Sequence, residues 1–163
     1  MDKVYNHLAY EEQIYNLWEK SGAFSPKIEK NKNPFVIIMP PSNANDNLHV
    51  GHARFVTIQD VLTRYHRMGG EPTLWLPGAD HAGIETQFVF EKKLKKEGKS
   101  RQDFDRDTLY KIIWDYVLEN KSNMENQLRV LGASCDWTRN KFTLDPEIIK
   151  IVYTTFKKLY DDG

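Results

Sequence analysis

The chain has 163 residues, 40% hydrophobic and 28% charged, with 23 basic and 23 acidic side chains and a formal charge of zero. That balance fits one globular domain with a real core and excludes disordered and collagen-like readings. A module that grips nucleic acid by itself carries a basic excess, so any RNA-binding surface is expected mostly elsewhere.

No apolar run approaches the roughly 20 residues that a membrane helix needs, so no membrane partner is expected. Residues 1–7 show neither an apolar leader segment nor a cleavage site, which argues against a secretory signal. The single cysteine, Cys135, has no partner for an internal disulfide and suits a reducing cytoplasm.

Residues 8–20 have helical periodicity, with Ile14, Leu17 and Trp18 on one face and Glu11, Glu12 and Glu19 outward. Gly22 ends this helix, and a polar connection runs to Asn33. Residues 35–39 (Phe-Val-Ile-Ile-Met) lack polar alternation, as expected of a strand buried on both faces of a parallel sheet. Pro40 and Pro41 stop it, and a polar turn leads to His49 and His52 at a helix start. Phe55, Val56, Ile58, Val61, Leu62 and Tyr65 continue that helix to about Met68, closed by Gly69-Gly70. Residues 72–76 form a second strand, stopped by Pro77-Gly78. Strand, helix and strand at this spacing make a βαβ unit, nucleus of a doubly wound α/β fold whose ligands lie at the carboxyl ends of the strands.

Further helices are expected over residues 84–97 and 107–131, the latter burying Leu109, Ile112, Ile113, Tyr116, Val117 and Leu128. A short strand over 142–144 and a helix over 147–160 capped by Asp145-Pro146 follow. With two clear strands and a third candidate, the sheet is incomplete for a doubly wound fold.

Two segments carry candidate chemistry, and both fall at carboxyl ends of strands. At the first, His49 and His52 lie three residues apart on a first helical turn, where free N–H groups and a partial positive charge favour an anion. Their imidazoles face one way and suit donation to phosphate oxygens, and Gly51 between them lets a base or ribose approach the backbone. Two surface histidines, or a metal site completed by His81 or Cys135, are the competing readings; no second paired-ligand spacing supports the metal. At the second, Asp80 either accepts a ligand ammonium or caps the helix that follows. Pro40, Pro41 and Trp75 wall an apolar pocket or belong to the core. Residues 92–101 are basic, read as a solvated helix end ahead of an RNA-facing patch, and Trp114, Tyr116 and Trp137 read as core aromatics.

His49-Val50-Gly51-His52 resembles the HIGH motif of class I aminoacyl-tRNA synthetases. Pro40-Pro41-Ser42-Asn43, followed by Leu48 to Ala53, resembles the PPPNVTGxLHxGHA stretch of the valyl family within that class. Residues 64–68 resemble its RYxRM, and residues 74–84 with Thr86-Gln87 resemble its LWxPGTDHAGIATQ, in which DHAGI is the discriminating piece. Glu97-Gly98-Lys99, residues 131–134 and residues 136–139 continue the likeness across nearly the whole chain.

The resemblance implies a Rossmann-like parallel sheet, with residues 1–33 an N-terminal helix and connection and 34–163 the N-terminal half of the catalytic domain. The editing, KMSKS and anticodon-binding parts then lie outside these residues, little or no turnover is expected of this stretch alone, and a complementary C-terminal chain is an implied partner. It further implies activation of valine with ATP and Mg²⁺ and transfer to tRNA(Val). By position, His49, Gly51 and His52 contact ATP, with His49 and His52 catalytic. Asp80 holds the valine ammonium, and Pro41, Asn43 and Gln87 form the amino-acid site. No protein-held metal is implied. A folded non-catalytic module, or another nucleotidyltransferase with HxGH, is the alternative. The sequence departs from the family pattern at Ser42, Asn45 and Asp46. Asp and Asn tolerate a left-handed backbone, so the turn survives; a carboxylate at Asp46 repels phosphates unless it points away or meets Mg²⁺.

Overall fold

The computed structural model describes residues 4–163; residues 1–3, part of the N-terminus read above as leader-free, lie outside the description. Among the described residues five α-helices and five strands follow in the order α1 (His7–Lys20), β1 (Phe35–Ile38), β2 (Ser42–Asn43), α2 (Val50–Met68), β3 (Thr73–Leu76), β4 (Gly78–Asp80), α3 (Gly83–Lys96), α4 (Arg106–Val130), β5 (Lys141–Phe142) and α5 (Pro146–Asp161). Every strand pairing is parallel. β1 pairs with β3 from Phe35↔Thr73 to Ile38↔Leu76, and β4 stands between β2 and β5 in a three-stranded sheet.

The chain forms two compact units. The first comprises residues up to Pro40, 48–77 and 124–140; the second comprises 41–47, 78–123 and 141–163.

In the first unit the proline-bounded apolar run makes β1, and α2 returns the chain to the parallel neighbour β3. Met39, Val56, Trp75, Leu128, Ala133 and Cys135 form its core, with Ile37, Leu48, Phe55 and Trp137 packed against them. Trp75 is fully buried and its indole N–H donates to Gln59 Oε1 at 3.0 Å, so it is core and not a pocket wall. The segments 64–68 and 131–134 turn out to be structural partners. Arg64 donates to Gly132 O at 2.8 Å and Arg67 to Ser134 Oγ at 2.7 Å, while Asp60 Oδ1 accepts from the Ser134 N–H and hydroxyl. Burial lowers the Arg67 pKa from its ordinary value, but two fixed hydrogen bonds, the second to Phe24 O, hold the guanidinium. Asp136 is also buried. Its Oδ1 accepts from the Thr138 N–H and hydroxyl, and its Oδ2 meets Arg139 Nε at 3.3 Å in an ion contact without hydrogen-bond geometry.

In the second unit Ala44, Ala79, Phe90, Leu94, Val117 and Phe142 are buried. Tyr116 packs on Phe90 with ring centroids 5.3 Å apart and donates its hydroxyl to Asn45 O at 2.7 Å, which pins the turn after β2. Burial raises the pKa of that phenol.

Several expectations are corrected. Residues 42–43, read as part of a turn, and 78–80, read as lying past the end of a strand, are strands; each is too short to show a period in sequence. β1 is parallel but alternates in burial, with Val36 and Ile38 exposed, so it is not covered on both faces. On α1 the buried residue is Tyr15, while Ile14 and Leu17 are exposed and Trp18 lies at the margin, its ring against Phe24 and the Arg64 guanidinium. The Tyr15 hydroxyl donates to Ala133 O at 2.7 Å and accepts from the Trp137 indole N–H at 2.6 Å, a paired polar tip that lets the ring enter the core. On α2, Val56 and Thr63 are buried while Ile58, Val61, Leu62 and Tyr65 are exposed. Asp145 occupies the N-cap position of α5, but its carboxylate accepts from the Phe142 N–H and makes no cap bond.

Candidate functional site

In the first unit, His49 is the N-cap of α2, with an extended backbone (φ −111°, ψ 173°) that turns its imidazole back over the helix start. Nδ1 of His49 accepts from the Gly51 N–H at 3.0 Å, and Nδ1 of His52 accepts from the His49 N–H at 3.2 Å. Reciprocal bonds of this kind satisfy helix-start donors that would otherwise be orphaned. They also set the chemistry. A neutral imidazole has one donor and one acceptor nitrogen, so using Nδ1 as the acceptor in both rings puts both protons on Nε2. The rings lie together, with centroids 4.0 Å apart. Desolvation first, and the neighbouring His49 second, lower the His52 pKa from its ordinary value, favouring the neutral ring that the cap requires.

Gly51 has a reason that sequence did not show. A Cβ there would stand 2.8 Å from His49 Cε1 and 2.9 Å from Nδ1. The missing side chain makes room for the capping imidazole itself.

The second unit holds the other residues singled out in sequence. Register pairs Asn43 with Asp80 at the carboxyl ends of the adjacent strands β2 and β4, side by side. Asn43 Nδ2 donates to Glu85 Oε2 at 2.7 Å, a carboxylate on the first turn of α3. The N-cap position of α3 belongs to Ala82 and not to Asp80; Ala82 has a left-handed backbone at φ 53°, ψ 14°, strained for a residue with a Cβ. Asp80 Oδ1 accepts from the Ala82 N–H at 3.0 Å and so holds that conformation from one residue outside the helix. Thr143, just beyond β5, donates to Asp80 Oδ1 at 3.2 Å and lies 2.6 Å from His81 Nδ1. Gln87 sits on α3 and donates to Glu91 Oε1 at 2.9 Å. Pro41 is exposed beside Gly78, where an added Cβ would be 3.7 Å from Pro41 Cβ. The Asp46 carboxylate turns onto its own chain and accepts from the Asn47 N–H at 2.7 Å.

Thr143 and Glu85 were missed in sequence. Residues 142–144 read as a candidate strand, and laying that strand parallel beside residues 78–80 would have brought Thr143 to the Asp80 end. Nothing comparable announced Glu85. Cys135, weighed as a metal ligand, lies fully buried in the core of the first unit, where burial raises its thiol pKa. Among the described residues no three His, Cys, Asp or Glu side chains are grouped to hold a metal ion.

One unit thus offers fixed N–H donors suited to an anion, and the other a fixed carboxylate suited to a cation. The chain belongs to the tRNA synthetases of class I (I, L, M and V), a family it matches over residues 13–163. It is 50% identical over 153 residues to the chloroplastic/mitochondrial valine–tRNA ligase 2 of Arabidopsis thaliana, covering 94% of this chain and 16% of that one. Identity is 49% to the valine–tRNA ligase of Treponema denticola and 47% to that of Dehalococcoides mccartyi, each over 100% of this chain and 18% of the relative. The chain therefore spans less than a fifth of the length of these relatives. A LeuRS of Agrobacterium radiobacter, solved as a ternary complex with tRNA and LeuAMS, superposes with a TM-score of 0.77 at 20% identity over 98% of this chain and 18% of that one. This likeness establishes the Rossmann-like α/β fold of the class, with its sheets incomplete in this chain. Among the described residues, no helix is long and apolar enough to cross a membrane.

Proposed function

We propose that this chain supplies the ATP- and valine-binding half of a valine–tRNA ligase, which joins valine and MgATP into valyl-adenylate and passes the valyl group to tRNA(Val). The observation that carries this reading is the identity of 47–50% to valine–tRNA ligases along essentially the whole chain. The geometry agrees with it chemically. Nε2–H groups of His49 and His52 donate to phosphate oxygens, most strongly as charge builds on the α-phosphate during attack by the valine carboxylate. Gly51 keeps the His49 ring in place and leaves the helix start open to the nucleotide. Asp80 accepts from the valine ammonium, next to Asn43, while Pro41 and Gln87 contribute to the amino-acid site. Mg²⁺ arrives with the nucleotide as part of the substrate. In this reading residues 34–163 form the N-terminal half of the catalytic domain, residues 1–33 an added helix and connection, and the protein works in the cytoplasm.

Calorimetry with valyl-sulfamoyl-adenosine, a non-hydrolysable stand-in for the adenylate, tests the proposal. Binding of the valyl compound should exceed that of the leucyl compound by about tenfold or more, since an extra methylene overfills a matched pocket. Equal binding of an unrelated aminoacyl analogue, such as the lysyl one, would remove valine from the proposal.

A further inference from the structure

We propose that Thr143 is a positioning residue for Asp80, fixing the carboxylate through a proton arrangement that starts at His81. This rests on the reading of Asp80 as the ammonium acceptor.

Thr143 lies 63 residues from Asp80 in sequence and is tied to its segment through both backbone and side chain. Its backbone N–H donates to Ala79 O at 3.1 Å, which continues the β4–β5 ladder one residue past β5. Its hydroxyl oxygen then sits 3.0 Å from the His81 N–H, 2.6 Å from His81 Nδ1 and 3.2 Å from Asp80 Oδ1. A hydroxyl has one proton to give and two lone pairs to accept with. All three contacts are satisfied together only if His81 carries its proton on Nδ1. The oxygen then accepts from the backbone N–H and from Nδ1–H, and donates to Asp80 Oδ1. With the proton on Nε2 instead, Thr143 would donate to Nδ1, and Asp80 Oδ1 would face a hydroxyl lone pair at 3.2 Å and hold no donor there.

The carboxylate selects the first arrangement, because a charged acceptor strengthens the dipoles aligned on it. Oδ1 is then held by the Thr143 hydroxyl and by the Ala82 N–H at 3.0 Å. Among the described residues Oδ2 has no hydrogen-bond partner, and the side chain remains 36% exposed. One oxygen is anchored and the other is presented to solvent. A carboxylate locked in this way meets an ammonium without losing rotamer freedom, which is how pre-organisation raises affinity.

The test compares valyl-sulfamoyl-adenosine with its des-amino counterpart, 3-methylbutanoyl-sulfamoyl-adenosine, by calorimetry on the protein. The wild type should prefer the amino compound, and Asp80→Asn should erase that preference. Thr143→Val, isosteric but without the hydroxyl, should weaken the amino compound by about tenfold and leave the des-amino compound within about twofold, a loss the size of one charged hydrogen bond. Thr143→Ser should restore the wild-type values. Equal weakening of both compounds, or of neither, would overturn the positioning role while leaving Asp80 its part. A wild type indifferent to the amino group would overturn both readings. A second measurement needs no variant: the ¹⁵N shifts of His81 in the wild-type protein should report an Nδ1–H ring, and an Nε2–H ring would overturn the proposal.

Discussion

The start of α2 and the end of β4 solve the same physical problem with opposite signs. At the helix start, backbone N–H groups occupy the Nδ1 atoms of His49 and His52, which leaves two Nε2–H donors. At the strand end, a backbone N–H and a hydroxyl occupy Oδ1 of Asp80, which leaves Oδ2 as an acceptor. In each case one half of a bifunctional group is spent on the protein's own backbone, and the other half is thereby aimed. Donors suit a phosphate and the acceptor suits an ammonium, the two charged groups at the ends of the proposed reaction. The difference lies in the anchor. The histidines are fixed by local bonds within one helical turn, whereas Asp80 depends on a residue far along the chain. The first should therefore withstand distant changes, and the second should not.

The largest effect expected from breaking the local anchor comes from His52→Ala. It removes a donor and the acceptor that receives the His49 N–H. Affinity for valyl-sulfamoyl-adenosine should fall by roughly ten- to a hundredfold, the range for a hydrogen bond to a charged group. The ratio of amino to des-amino compound should stay at the wild-type value, since Asp80 is untouched. A changed ratio in calorimetry would show that the two anchors are not independent.

Gly51→Ala should act next most strongly, without removing any functional atom. The new Cβ would meet the His49 ring at 2.8 Å, closer than real side-chain contacts allow. The imidazole must swing away and the cap opens, at a cost of about 1 kcal/mol in urea unfolding. The analogue should bind about tenfold more weakly, as one aimed donor is lost. If affinity holds while stability falls, the His49 ring is a cap and not a ligand.

Asn43→Asp sharpens the other side. The new carboxylate would face Glu85, which now accepts from Asn43 Nδ2 at 2.7 Å, and would stand beside Asp80 on the neighbouring strand. Three carboxylates then crowd one strand end, and like charges so close repel. With the Asn43 donor to Glu85 gone and a like charge beside Asp80, the amino compound should weaken by several-fold more than the des-amino compound, measured by calorimetry.

The asymmetry of the anchors also explains what was legible in sequence. The helices were readable because glycine, proline and apolar spacing are local signals, and so was the His49 helix start. Where apolar residues lie on both sides of a helix, periodicity finds the helix but not its buried face. Ile58, Val61 and Leu62 of α2 looked like core and are exposed, while Thr63 is fully buried. Its hydroxyl donates to Gln59 O at 2.8 Å within the helix, so it enters the interior already satisfied. The strands β2 and β4 were invisible because two or three residues cannot display alternation. Thr143 was invisible as a partner because only the parallel β4–β5 pairing makes it Asp80's neighbour. Position in sequence singled out both candidate segments; it did not reveal what holds them in shape.

The smallest effect is the titration of the local anchor, and its sign follows from the cap. Desolvation and the adjacent His49 depress the His52 pKa in the folded chain, while the unfolded chain keeps the ordinary value near 6.5. Between those two values the unfolded state binds more protons, so stability rises with pH across that window. The contribution of His52 is whole above about pH 6.5 and declines as pH falls through that value towards the folded pKa. The bond at risk is the one from the His49 N–H, because a protonated Nδ1 no longer accepts. Urea unfolding at pH 7.5 and 5.5 should show a loss on acidification that is smaller in His52→Gln, whose amide does not titrate. The difference between the two proteins isolates this ring from every other acid and base, and it should be smaller than the loss caused by Gly51→Ala. An identical pH dependence in both would mean that the ring is not held as an acceptor, and the helix start would then lose the directional anchor that the strand end keeps.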